Sequence, residues 1–376
     1  MASRYLDHNA TTPLGQAAQE AMGEVLGTFG NPSSIHGRGR RARDLVEAAR
    51  RHVAALVGAA PEGVVFAASG SEAVALGVIG LARRARRLGP SRDRVLVGAS
   101  EHPASLGAVD VLRGDGFYVD TIEVDEAGRL VLPPSLDARV ALVVAQLANH
   151  ETGVLQPVTE LAARAREVGA LLFCDAVQAA GKLPIDLPAL GASALAVAAH
   201  KLYGPGGAAA VVLSDGCDLD PLVPGGHQER GRRAGTEPVA ALVGFGAAAL
   251  DAKVRVVEDA LRLTALRLRF ETGLSLQGAT IFGRSHARLC NTTLLAFEGV
   301  SGHLLAIALD LAGFEVSTGA ACSSGSVKPS AVLLASGHMP DVARRAVRVS
   351  LGRDTTMEDV DALLDALPAL VARVRA

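Results

Sequence analysis

Residues 138–176 read "ARVALVVAQLANHETGVLQPVTELAARAREVGALLFCDA". A short apolar run in Val, Leu and Ala is followed by a polar turn containing Gly153 and Pro157. A helical stretch, "VTELAARAREVG", comes next, and then a second apolar run ends at Asp175. Strand, helix and strand in that order make a crossover unit, which places the two strands parallel in one sheet.

The same alternation extends in both directions. "GVVFAA" precedes "SEAVALGVIGLARRA", "RVLVGAS" precedes "HPASLGAVDVLRG", and "SALAVAAH" and "GAAAVVLS" follow. The pattern predicts an α/β fold: a mostly parallel, seven-stranded sheet with helices on both faces. After about residue 250 the pattern changes to a long charged helix, "VRVVEDALRLTALRLRFETG", and then to shorter mixed elements. The expected organisation is a large domain over 15–250 and a smaller C-terminal α/β domain over 251–376, joined by residues 1–14.

Composition narrows the function classes. With 376 residues the chain can bury a sizeable core. Its hydrophobic fraction is 49%, yet Gly, Pro or a charge interrupts each apolar run well short of the ~18 residues a membrane span needs. The N-terminal "MASRYLDHNATTP" lacks a basic segment followed by an apolar one, and four scattered cysteines do not suggest a disulfide framework, so a cytoplasmic location is expected. A net charge of −2 argues against a globally basic nucleic-acid binder, and no direct nucleic-acid or membrane binding is expected. The arginines of "LARRARRLG" read as a solvated helix end.

Open parallel sheets bind ligands beyond the carboxyl ends of their strands. Here those ends carry Ser69-Gly70-Ser71-Glu72, Glu101-His102, Asn149-His150-Glu151, Asp175 and His200-Lys201. Each has an ordinary explanation as a cap or turn residue; Ser69 and Glu72, for example, have capping-box spacing. Five such groups on one edge exceed what caps require. Lys201 ends a buried run, so desolvation should lower its pKa and favour the neutral amine that Schiff-base chemistry uses. An Asp able to pair with a pyridinium nitrogen and a helix N-terminus able to hold a phosphate complete the requirements of pyridoxal 5'-phosphate.

The ordered motifs "YLDHNATTP", "FGNPSSIHGRGRRA", "SEHPA", "ANHETGVLQP", "CDAVQAAGKLPIDL", "HKLYGPGG", "GGHQERGRRAGT", "RLCNTTLLAF", "STGAACSSG" and "VRVSLGRDTT" cover nearly the whole chain. Taken together, the chain resembles the cysteine desulfurases that feed iron–sulfur cluster assembly, in the class V aminotransferase branch of the fold-type I pyridoxal phosphate enzymes. The resemblance implies that Lys201 carries the cofactor, that Asp175 pairs with its ring nitrogen, and that His102 stacks on the ring and moves protons. It further implies that Gln178 bonds the phenolic oxygen, with Asn149 and His150 nearby. Gly70, Ser71 and His200 would hold the phosphate, and Thr236 would reach the phosphate site of a neighbouring subunit in a homodimer. Arg348 would grip the carboxylate of the L-cysteine substrate, with Asn9 in the same region.

Cys322 lies among Gly319, Ala320, Ala321, Ser323, Ser324 and Gly325, small residues that permit a loop to swing. By the resemblance, its thiolate takes the substrate sulfur as a persulfide, releases L-alanine, and passes the sulfur to an acceptor or scaffold protein. It is also the one residue where a metal, as part of a cluster in transfer, would transiently be bridged. Cys174 and Cys290 read as structural.

Departures from the family pattern are His150 in place of the second Asn of a usual pair, Ala198 in place of a phosphate-binding Ser, "SEAVALG" after the phosphate turn, and His227 in place of a third glycine. The lost hydroxyl at Ala198 should weaken phosphate binding by about 1 kcal/mol. Alternative readings are a selenocysteine lyase or carbon–sulfur lyase of the same fold, or a weakly catalytic sulfur-carrier subunit. Retention of the loop cysteine argues against a lyase.

Overall fold

The computed structural model of the chain describes residues 3–318 and 328–375. A short strand β1 (Arg4–Tyr5) opens it. The main sheet is built from β2 (Val64–Ala67), β3 (Arg94–Gly98), β4 (Tyr118–Ile122), β5 (Val140–Gln146), β6 (Leu171–Asp175), β7 (Ala194–Ala198) and β8 (Ala209–Leu213), in the order β2-β8-β7-β6-β5-β3-β4. Its seven strands match the number expected. β8 runs antiparallel to β2 and β7, while the other pairings are parallel. The reason is local: β8 is reached from β7 through a short connection with a single 3-10 turn (Ala199–Lys201), and no α-helix intervenes to carry the chain back across the sheet. β4 is the strand the apolar runs did not reveal, because "YVDTI" lies at the sheet edge and is only partly buried.

Helices α1 (Gln16–Val25), α2 (Gly37–Leu56), α3 (Gly70–Leu88), α4 (Pro103–Gly114), α5 (Val158–Glu167), α6 (Leu187–Leu190) and α7 (Val239–Leu276) accompany this sheet. Successive strand residues face opposite sides, and the core divides accordingly. Val143, Ala145, Leu172 and Val197 pack with α2, α5 and the first half of α7. Leu142, Val144, Phe173 and Ala196 pack with α3 and α4. Phe173 is fully buried, worth about 2–3 kcal/mol. α3 lies so close to it that a Cβ on Gly77 would fall 2.1 Å from the Phe173 ring.

A second, antiparallel sheet contains β9 (Thr280–Ile281), β10 (Thr292–Ala296), β12 (Ser317–Thr318) and β13 (Val347–Ser350), in the order β12-β13-β10-β9. β11 (Phe314–Glu315) pairs in parallel with β1. Helices α8 (Gly302–Leu311), α9 (Ala331–Ala335), α10 (Pro340–Arg344) and α11 (Met357–Arg375) complete this part. Its core joins Leu6 to Leu295, Phe314, Val349 and Leu363, and to Leu263, Leu266 and Phe270 of α7. Helix α7 therefore crosses residue 250 without a break, giving Leu242–Ala252 to the first core and Leu263–Leu274 to the second. Among the described residues, no helix is long and apolar enough to cross a membrane.

Candidate active site

The carboxyl ends of β2, β3, β5, β6 and β7 meet on one edge of the main sheet, and all five residue groups singled out in the sequence lie there. They surround a cavity of about 210 Å³ lined by Gly70, Ser71, His102, His150, Asp175, Gln178, His200 and Lys201.

At one end α3 begins. Ser69 caps it by accepting from the Glu72 amide at 3.1 Å, and Glu72 reaches back to the Ala68 amide at 2.8 Å, one residue before the capping-box position. The Arg233 guanidinium donates to Glu72 at 2.8 Å, tying the "GGHQERGRRAGT" loop to this helix start. The first residues of α3, Gly70 and Ser71, present backbone to the cavity with the positive end of the helix dipole behind them. Ala198 would stand 3.3 Å from a Cβ on Gly70, so glycine keeps this cradle open. His200 contributes its ring, held 3.3 Å from the Thr11 hydroxyl; burial and the charges of Lys201 and Lys182 push its pKa down to about 4.

At the other end lie Asp175 and Lys201. Asp175 terminates β6 and accepts from the Val177 amide at 3.0 Å. Burial raises its carboxyl to about 6, against the pull of that bond and of Lys201. Such a carboxylate holds a cationic partner strongly, since pairing restores the charged form that burial opposes. The Lys201 Nζ donates to the carbonyl oxygens of Asn9 and Ala10, the latter at 2.7 Å. Burial first, then Arg348, lower its pKa to about 8, which brings the neutral amine within reach near neutral pH. The turn after it is strained: Tyr203 has φ 67°, and its amide donates to the Thr12 hydroxyl at 2.8 Å.

His102 caps α4, its Nδ1 accepting from the Ala104 amide at 3.1 Å. That bond leaves the proton of the neutral ring on Nε2. Burial and Lys201 hold its pKa below the usual 6.5. His150 meets His102 edge-on, with centroids 5.1 Å apart, and its buried Nδ1 has no partner among the described residues. Burial drives His150 well below 6.5 and raises Glu151 to about 7. With His150 uncharged, the 3.8 Å approach of these two side chains is not an ion pair.

Other sequence-predicted residues occupy different positions. Asn149 does not line the cavity: its amide donates to the Ser100 carbonyl at 3.1 Å and accepts from the Glu151 and Thr152 amides, which fixes the turn that presents His150. Asn9 is buried with its side chain committed to Thr292, Asn291 and Lys182, while its main-chain oxygen meets Lys201 and Gln178. Arg348 is buried and donates to Asp7 at 2.7 Å and to the His150 carbonyl at 2.9 Å. Thr236 is exposed and outside the cavity. Cys322 lies outside the described residues.

Sequence reasoning passed over Asp7, Lys182, Ser330 and the functional weight of Glu151. Ser330 caps α9 and donates to Glu151 at 2.5 Å, joining the second sheet's helices to the cavity wall. The lysine of "AAGKLP" was the one readable signal, since it interrupts an otherwise small and apolar stretch.

The donor set fits pyridoxal phosphate: backbone and His200 at a helix start for the phosphate, a buried carboxylate for the ring nitrogen, an amide for the phenolic oxygen, and a depressed lysine amine for the aldehyde.

Comparisons with known proteins give the family of the chain. The sequence profile of the family Aminotransferase class-V matches residues 4–363. The cysteine desulfurase of Enterobacter agglomerans is 40% identical over 382 residues, covering 100% of this chain and 94% of the relative. That of Cereibacter sphaeroides is 42% identical over 380 residues, covering 99% of this chain and 96% of the relative. A solved structure titled as a NifS-like protein superposes with a TM-score of 0.90 at 31% identity, covering 99% of this chain and 100% of that one.

Proposed function

The chain belongs to the class-V aminotransferase family, and from that premise we propose that it is a pyridoxal-phosphate-dependent cysteine desulfurase. The observation that carries the reading is the likeness to curated cysteine desulfurases at about 40% identity along the whole chain. The depressed lysine at the carboxyl edge of the sheet supplies the chemistry that likeness requires.

When bound, the cofactor supplies an electron sink for charge developing at the substrate Cα. The protein's residues do the rest. Lys201 offers the amine, and Asp175 keeps the ring nitrogen protonated. His102, neutral and with its proton on Nε2, carries protons to and from the substrate. Arg348 binds the substrate carboxylate through its planar fork. Cys322 receives the sulfur: its S–S bond to the substrate sulfur forms as the substrate C–S bond breaks, a C–H bond replaces the latter, and the products are alanine and an enzyme persulfide. The two thiols together supply the sulfur and hydrogen atoms, so no outside oxidant or reductant enters.

The acceptor of the sulfur is a carrier or scaffold protein, and the enzyme works in the cytoplasm as a homodimer in which Thr236 serves the neighbouring site. Exposure of Thr236 supports that reading. The test is direct. Protein purified with pyridoxal phosphate should be yellow, and Lys201→Ala colourless. Incubation with L-cysteine should add one sulfur atom to the intact mass, an addition absent in Cys322→Ser. Alanine formation by Cys322→Ser at the unmodified rate would instead indicate a lyase that needs no persulfide.

A further inference from the structure

Lys182 follows the cavity-lining segment after β6 and is buried, 8% exposed. Its Nζ donates to Gln178 Oε1 at 2.9 Å and to Asn9 Oδ1 at 3.1 Å. Among the described residues it makes no ion pair with a carboxylate, and its side-chain nitrogen is held in the interior by two amide oxygens. Desolvation, and the charge of Lys201 next, bring its pKa down to about 7. A lysine kept where it is this costly to charge calls for an explanation beyond filling space.

The explanation lies in what its partners are made to do. A side-chain amide can turn either its oxygen or its NH₂ toward a given neighbour, and an ammonium has donors only. Facing the charged form of Lys182, Gln178 must present Oε1 to it. Its Nε2 then donates to the Asn9 carbonyl at 2.9 Å, and one N–H remains for the cavity that Gln178 lines. Asn9 is oriented by the same contact, its Oδ1 shared between Lys182 and Asn291 Nδ2 at 3.2 Å and its Nδ2 given to Thr292 at 2.9 Å. With the opposite flip Gln178 would offer an oxygen where a phenolate oxygen is to be received. The interaction would change from attraction to repulsion.

We infer that Lys182 is a positioning residue that fixes the Gln178 amide with an N–H toward the phenolic oxygen of the bound cofactor. The inference rests on the proposed function. A donor at that oxygen favours the deprotonated cofactor–lysine linkage, so losing it raises the pH midpoint of the visible absorption band.

The experiment is a pH titration of that band in holoenzyme carrying no substitution, Lys182→Met, Gln178→Met and both together. Lys182→Met should raise the midpoint by roughly half a unit to one unit. In the Gln178→Met background it should add nothing, because its effect passes through the amide. An unmoved midpoint in Lys182→Met, or an equal shift in both backgrounds, overturns the inference. Lys182→Arg keeps a partner with donors only and gives an independent reading should the Met variant not fold. It should retain the original midpoint, and a raised one there also overturns the assignment. An unsubstituted protein giving no Lys201-dependent band at all would defeat the proposed function itself, which separates the two failures.

Discussion

The Arg348 guanidinium rests 2.7 Å from the Asp7 carboxylate, although 341 residues separate the two in sequence. Its other terminal nitrogen is held by the His150 carbonyl, and its Nε is buried without a partner. Asp7 and the His150 carbonyl thus share the fork that the proposed function assigns to the substrate carboxylate.

A carboxylate arriving at Arg348 must compete with Asp7. Asp7→Asn should therefore lower KM for L-cysteine by about two- to fivefold, because removing a competing charge is worth roughly 0.5–1 kcal/mol for a partly exposed pair. Arg348→Lys should act in the opposite sense and raise KM at least tenfold, since an ammonium lacks the bidentate fork. Steady-state kinetics decide; an increase in KM for Asp7→Asn would show that Asp7 helps to orient Arg348 and does not compete for it.

His150 and Glu151 make opposite contributions to the pH dependence of stability. Glu151 has its pKa raised to about 7, so between the unfolded value near 4.5 and about 7 the native state holds a proton the unfolded state has lost. Its contribution to stability is therefore greatest at low pH and is lost as pH rises through that window. Glu151→Gln should raise Tm at pH 8 by roughly 2 °C or more and change it less at pH 5. Differential scanning calorimetry across pH 5–8 gives the comparison, and a greater gain at the acid end would contradict the assignment.

For His150 the native state resists protonation while the unfolded histidine charges below about 6.5. Stability consequently falls as pH drops beneath that value. His150→Asn should flatten this acid-side decline, whatever its effect at pH 8. Urea titrations at pH 5 and pH 8 measure it: a difference between the two pH values as large in the variant as in the original protein would mean that His150 does titrate with the surrounding solvent.

Ala198 stands against Gly70, in the proposed phosphate cradle. Ala198→Ser restores a hydroxyl at the end of β7, and one hydrogen bond of about 1 kcal/mol corresponds to roughly fivefold tighter cofactor binding. Absorbance titration of apoprotein with pyridoxal phosphate provides the readout. Unchanged or weaker binding would indicate that Gly70, Ser71 and His200 already satisfy the phosphate.

The strand–helix alternation was legible because periodicity and turn residues act over a few neighbours, and apolar runs such as 140–147 leave few places to lie other than a covered sheet. The same local reading located Ser71, His102, Asp175 and Lys201 at strand or helix ends, hence on one edge. β4 escaped it because an edge strand with polar residues carries a weak apolar signal. Cofactor class followed from residue types on that edge, with the resemblance adding the individual roles.

Which polar atoms remain free at that edge was decided by the tertiary structure. The Asn9 side chain is taken up by Thr292 and Asn291, Arg348 by Asp7, and the Gln178 flip by Lys182. Hydrogen bonds of this kind join distant parts of the chain, and buried donors and acceptors must be satisfied wherever packing brings them. Local sequence determines the elements and the chemistry they carry; the partner each buried group finds is determined only once both cores have closed around α7.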